Sequence, residues 1–178
     1  MLDASFTDDF FTLFGLPRSY AVDLSRLDAS YRDIQSQVHP DKHAHLADAD
    51  KRTAMQWASR ANEGYQTLKQ PLARARYLLH LAGHDAEVET NTAMPASFLM
   101  EQMELRETVS DARVARELET LEDLHDRLRR EIKGRYGKLQ QVLDESGDYT
   151  AAAALVRELM FEEKLLHEID EGIAALED

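Results

Sequence analysis

Cysteine is absent from the 178-residue chain. That excludes disulfides, thiolate zinc sites, cysteine-ligated clusters and cysteine nucleophiles supplied by the chain itself. Glycine (7) and proline (4) are scarce, while Ala, Leu, Glu and Arg are abundant and apolar residues recur at threes and fours. This pattern predicts an all-α fold with no strand pair. No apolar stretch approaches the roughly 18 residues of a membrane span, and residues 1 to 5 lack a basic region leading into an apolar run. The expectation is a soluble cytoplasmic protein without a membrane partner. Positive charge is also in short supply: the net charge is -13, and all of the imbalance lies in the second half. Residues 1 to 80 hold ten Lys/Arg against ten Asp/Glu, residues 81 to 178 eleven against twenty-four. A non-specific nucleic-acid role needs a basic footprint and is disfavoured. The asymmetry suggests two halves that meet different partners, and the length accommodates two small domains.

Phe6, Phe10, Leu13 and Phe14 form a short apolar stripe ending at Gly15-Leu16-Pro17, which predicts a short first helix. Asp23 is placed to cap a second, whose apolar positions Leu24, Leu27, Tyr31, Ile34 and Val38 step by 3, 4, 3 and 4. That helix must stop at His39-Pro40-Asp41, because proline removes a backbone donor and pushes the preceding residue out of the helical region. A third helix is predicted from about residue 48, with Ala54, Ala58, Ala61, Tyr65 and Leu68 inward beside Met55 and Trp57, antiparallel to the second. Gly64 is out of place there, at a cost of about 1 kcal/mol relative to Ala. Pro71 suits the first position of a fourth helix, residues 72 to 81, closed by Gly83.

A short helix, a long helix ending in His39-Pro40-Asp41-Lys42, a loop, and a long helix containing Ala61-Asn62-Glu63-Gly64-Tyr65 together resemble the J-domain of DnaJ-class co-chaperones. Asp9-Phe10-Phe11-Thr12-Leu13-Phe14-Gly15-Leu16-Pro17, with Tyr65-Gln66-Thr67-Leu68, Pro71-Leu72, Arg74-Ala75, Tyr77-Leu78-Leu79 and Gly83, is similar to the HscB family. These are J-type co-chaperones dedicated to iron-sulfur cluster biogenesis. The likeness covers nearly the whole chain. It implies a J-domain over residues 1–82 whose His39, Pro40 and Asp41 dock on an HscA- or DnaK-type chaperone and promote its ATP hydrolysis, with Arg26, Arg32 and Lys42 beside them. General J-domains carry a more basic second helix; here Asp28 and Asp33 oppose Arg26 and Arg32, so electrostatic steering is weaker.

Residues 83–94 are polar and aperiodic and are expected to be a linker. Pro95 then opens a helix with two apolar lines. Phe98, Leu105 and Val109 fall on one; Leu99, Met100 and Met103 fall roughly 100° to 200° away. Either both faces are buried, one in the bundle and one against the first domain, or the second is an exposed patch of adaptable methionines flanked by Glu104 and Glu107 and suited to a protein partner. The segment from Phe98 to Glu107 resembles the HscB stretch that contacts the scaffold protein IscU, which implies that Leu99, Met100, Met103, Glu104 and Glu107 make that contact. A long helix is predicted from about 111 to 136 with Val114, Leu118, Leu121, Leu124, Leu128 and Ile132 inward. Its cations Arg127, Arg129, Arg130, Lys133, Arg135 and Lys138 read as a solvated or salt-bridged face. After a turn and cap at Ser146-Gly147-Asp148, a last helix from about 149 to 176 carries Leu155, Leu159, Leu166, Ile169, Ile173 and Leu176. Phe161 lies off that stripe and resembles an aromatic that HscB proteins present to the scaffold; Met160 stands where the family commonly has a basic residue. Residues 95–178 should form an antiparallel three-helix bundle.

No nucleophile, phosphate-cradling glycine loop or paired-carboxylate signature accompanies His39 and Asp41. The expectation is a protein without catalytic residues or cofactor, whose partners are a chaperone ATPase and a scaffold. A general DnaK helper is one alternative. A metal site of His39, His43 and His45 is another, disfavoured because their spacing spans a proline turn rather than one helix face.

Overall fold

The computed structural model describes residues 5–38, 48–84 and 94–177. Every regular element among them is helical, in line with the all-α expectation: α1 (Phe10–Leu13), α2 (Leu24–Val38), α3 (Asp48–Lys69), α4 (Pro71–Leu81), α5 (Ala96–Ala115), α6 (Leu118–Gln141) running into a π turn (Val142–Ser146), and α7 (Tyr149–Glu177). The chain divides into two compact units, residues 1–78 and 79–178. Most of the expected linker, residues 85–93, lies outside the described residues.

In the first unit α1 is a single turn. Asp9 caps it, accepting from the Thr12 amide at 3.0 Å, and Gly15 closes it at φ 62°, with Leu16 N–H donating to Phe11 O at 2.9 Å. Asp23 caps α2 as expected, its Oδ1 accepting from the Ser25 and Arg26 amides. Helices α2 and α3 run antiparallel: the Tyr65 hydroxyl donates to Asp28 Oδ1 at 2.8 Å, the Tyr31 hydroxyl to Asn62 Oδ1 at 2.6 Å, and the two tyrosine rings stack 4.1 Å apart. Leu27, Ile34 and Val38 meet the small face of Ala54 and Ala61 as buried residues. Leu24 and Met55, both expected inward, are exposed. By the register of the pair Leu24 lies opposite the last residue of α3, where the overlap ends. Gly64 is explained by its neighbours: a Cβ there would sit 2.7 Å from Phe10 Cδ1 and 3.0 Å from Phe14 Cε2. The aromatic turn α1 presses on the bare backbone of α3 at that point. Phe6, off this core, stacks on Trp57 at 3.9 Å.

The second unit contains an up-down-up bundle. Glu101 pairs with Arg127 and Phe98 lies under Arg135, so α5 and α6 are antiparallel. Arg135 pairs with Glu162 and His125 with Asp170, so α6 and α7 are antiparallel too. Phe98 meets Phe161 and Arg106 meets Glu168, which makes α5 and α7 parallel. Leu121, Leu128, Ile132, Leu139, Leu155, Val156, Leu159, Leu165 and Ile169 fill the core.

The boundary between α5 and α6 differs from expectation. The second bundle helix does not begin near residue 111: α5 continues to Ala115, and the break falls at Arg116-Glu117. Arg116 adopts φ 58°, with Glu117 N–H donating to Ala112 O at 2.9 Å and Arg116 N–H to Arg113 O at 3.3 Å. This is a Schellman closure with arginine in the place that glycine usually takes. Val114 therefore belongs to the end of α5 and is 84% exposed instead of inward. Helix α6 likewise runs past Tyr136, through Gly134 and Gly137, to Gln141.

Candidate partner-binding surfaces

Helix α5 buries Phe98, Gln102, Val109 and Ala112 at spacings of 4, 7 and 3, leaving Leu105 half-buried. Leu99, Met100 and Met103 point away from that buried line. Leu99, Met100 and Met103 are 38%, 62% and 71% exposed, and Glu104 and Glu107 are exposed beside them. Within the second unit this exposed line is not part of the bundle core. Phe161 on α7, 37% exposed, is brought to the same end of the bundle by an edge-to-face contact with Phe98, ring centroids 6.3 Å apart and planes at 88°. Met160, beside it in sequence, is also exposed.

Beneath this surface sits a charge that apolar periodicity could not reveal. Glu162 is 1% exposed. Arg135 grips it with two bonds, Nε to Oε2 at 2.8 Å and Nη2 to Oε1 at 2.7 Å, and also bonds Glu158. Burial pushes the Glu162 carboxyl above its usual value, and Arg135 offsets only part of that push. Burial would lower the Arg135 guanidinium, but its bond to Glu162 and the charges of Glu162, Glu158 and Glu131 outweigh it and hold it above its usual value. Among the other α6 cations, Arg127 pairs with Glu131 and Glu101, while Arg129, Arg130, Lys133 and Lys138 are exposed, in line with a largely solvated face.

In the first unit Arg26 and Arg32 are exposed on α2, and Arg26 also donates to Gly15 O at 3.3 Å. Helix α2 ends at Val38 and α3 begins at Asp48. His39, Pro40, Asp41, Lys42, His43 and His45 lie outside the described residues.

Residues 94–170 match the family model described as the HSCB C-terminal oligomerisation domain. The chain is 55% identical over 170 residues to a co-chaperone protein HscB homolog of Azoarcus sp. (strain BH72), covering 96% of each. It belongs to the HscB co-chaperone family. A second HscB homolog, from Ralstonia nicotianae, is 52% identical across 98% of this chain and 99% of its own length. Among solved structures, the chaperone HscB from Vibrio cholerae superposes with a TM-score of 0.83 at 35% identity, covering 95% of this chain and 99% of that one. Human co-chaperone HscB gives 0.87 at 25% identity, covering 94% and 83%. No helix among the described residues is long and apolar enough to cross a membrane.

Proposed function

We propose that this chain is a cytoplasmic delivery co-chaperone that brings an IscU-type iron-sulfur scaffold to an HscA-type chaperone and stimulates that chaperone's ATPase. Residues 1–82 act as the J-domain, with His39, Pro40 and Asp41 as the docking tripeptide and Arg26, Arg32 and Lys42 as flanking cations. Residues 83–94 are the linker. Residues 95–178 hold the scaffold through Leu99, Met100, Met103, Glu104, Glu107 and Phe161. The observation that carries this reading is the exposed apolar face of α5 joined by Phe161, in a chain of the HscB family. Isolated exposed apolar residues are ordinary on a protein surface, but a contiguous set with flexible thioethers and an acidic rim is suited to a protein partner.

The chain performs no reaction of its own; nucleotide and catalytic residues belong to the chaperone. Tethering raises the effective concentration of the scaffold at the chaperone, while the J-domain promotes the nucleotide-state change that traps it. Steady-state ATPase of an HscA-type chaperone, measured with and without scaffold, tests both halves. His39→Gln should abolish stimulation and leave scaffold binding intact. Leu99→Ala/Met103→Ala should weaken scaffold binding by about tenfold or more and leave scaffold-independent stimulation intact. Survival of both activities in both variants overturns the assignment.

A further inference from the structure

The patch is built over a buried charge, and a buried charge tolerates few arrangements. Glu162 points into the bundle between Leu159 and Leu165, both fully buried. A carboxylate in that position is tolerated only when its oxygens are bonded, and Arg135 bonds both. The same guanidinium lies 5.8 Å from the centroid of the Phe98 ring, and Phe98 meets Phe161 edge to face. One α6 side chain thus fixes α7 one residue from Phe161 and α5 one residue from Leu99.

We propose that Arg135 is a positioning residue for client binding, holding Phe161 and the start of α5 in a single arrangement through Glu162 and Phe98; this rests on the reading of the patch as the client site. On α7, Glu162 and Phe161 are neighbours about 100° apart, so any rotation that carries an unpaired Glu162 toward water moves Phe161 by the same angle. Leucines pack acceptably in several settings of two helices, whereas a bidentate ion pair is satisfied in one.

The test is a double-mutant cycle on the dissociation constant for purified apo IscU-type scaffold. Arg135→Met should weaken binding about tenfold in the wild-type background but only about threefold when Phe161 is already alanine, because the share of its effect that acts through Phe161 is then gone and only the share through α5 remains. Equal factors in the two backgrounds, or wild-type affinity in Arg135→Met, overturn the proposal. Arg135→Met/Glu162→Leu guards against misfolding: with both charges replaced by apolar groups it should melt at or above the wild-type temperature and still bind weakly. Wild-type affinity in that variant also overturns the proposal. Arg106→Met, which breaks the α5–α7 pair at Glu168 one helical stretch away, should leave affinity unchanged; an equal loss there overturns a role specific to Arg135. If Leu99→Ala/Met103→Ala and Phe161→Ala keep wild-type affinity, the client-site reading falls and takes this proposal with it. If those variants lose binding and Arg135→Met does not, the positioning role alone falls.

Discussion

A β-carbon added at Gly64 would lie 2.7 Å from Cδ1 of Phe10. Gly64→Ala should therefore destabilise the first unit by about 1–3 kcal/mol, despite the gain of about 1 kcal/mol that alanine brings to an open helix position. The clash is with a buried ring in a packed core, which cannot swing away. Gly134→Ala and Gly137→Ala, where an added carbon meets nothing within 4 Å, should each stabilise α6 by about 1 kcal/mol. Urea unfolding of the three variants compares the signs directly.

Tyr77 and Asp9 give the first unit a stability window in pH. Burial pushes the Tyr77 hydroxyl above its ordinary value, so the folded state keeps a proton that the unfolded chain releases. Stability from this group is full below about pH 10 and falls as pH rises through the raised value. Burial would also raise Asp9, but its bonds with Arg18 and the Thr12 amide prevail and hold it below the ordinary carboxylate value. Its contribution is present above that ordinary value and is lost as pH falls through the lowered one. Trp57 is the single tryptophan and its fluorescence reports the first unit. Tyr77→Phe should flatten the alkaline limb and Asp9→Asn the acid limb. Tyr77→Phe should also cost about 1 kcal/mol at neutral pH, since the Phe10 amide loses its acceptor at 3.0 Å.

Arg116→Gly should stabilise the bundle. A left-handed conformation costs a residue with a β-carbon about 1–2 kcal/mol, and glycine meets the same Schellman geometry without that strain. Calorimetry should show a higher melting temperature with scaffold affinity unchanged.

Glu104→Gln/Glu107→Gln should slow association with the scaffold several-fold and flatten its salt dependence, with a smaller effect on dissociation. Exposed rim charges act mainly on encounter. Stopped-flow binding at low and moderate salt separates the two rates.

The parts of this fold that could be read from the sequence are those governed by side-chain period and by capping chemistry. Leu27, Ile34 and Val38 of the α2 stripe, the Asp23 and Asp148 caps and the double face of α5 all follow from local rules. What could not be read depends on long-range neighbours. Gly64 appears as a weak point until the aromatic turn 54 residues upstream is laid on it. The break at Arg116 has no glycine or proline to announce it, so apolar period alone places Val114 in the following helix and on its inward face. Glu162 and Gln102 are buried polar residues that hydrophobic patterning assigns to the surface. For Glu162 the deciding fact is a partner 27 positions away in sequence.

The parallel placement of α5 and α7 has a consequence for when the client surface exists. Phe98 and Phe161 stand on the first and last helices of the bundle, and the chain must traverse all of α6 before the second can come alongside the first. A nascent or clipped chain ending after α6 carries the methionine face without its aromatic. It also lacks Leu155, Val156, Leu159, Leu165 and Ile169 of the core, so both the aromatic and the packing that presents the methionine face depend on α7 being complete.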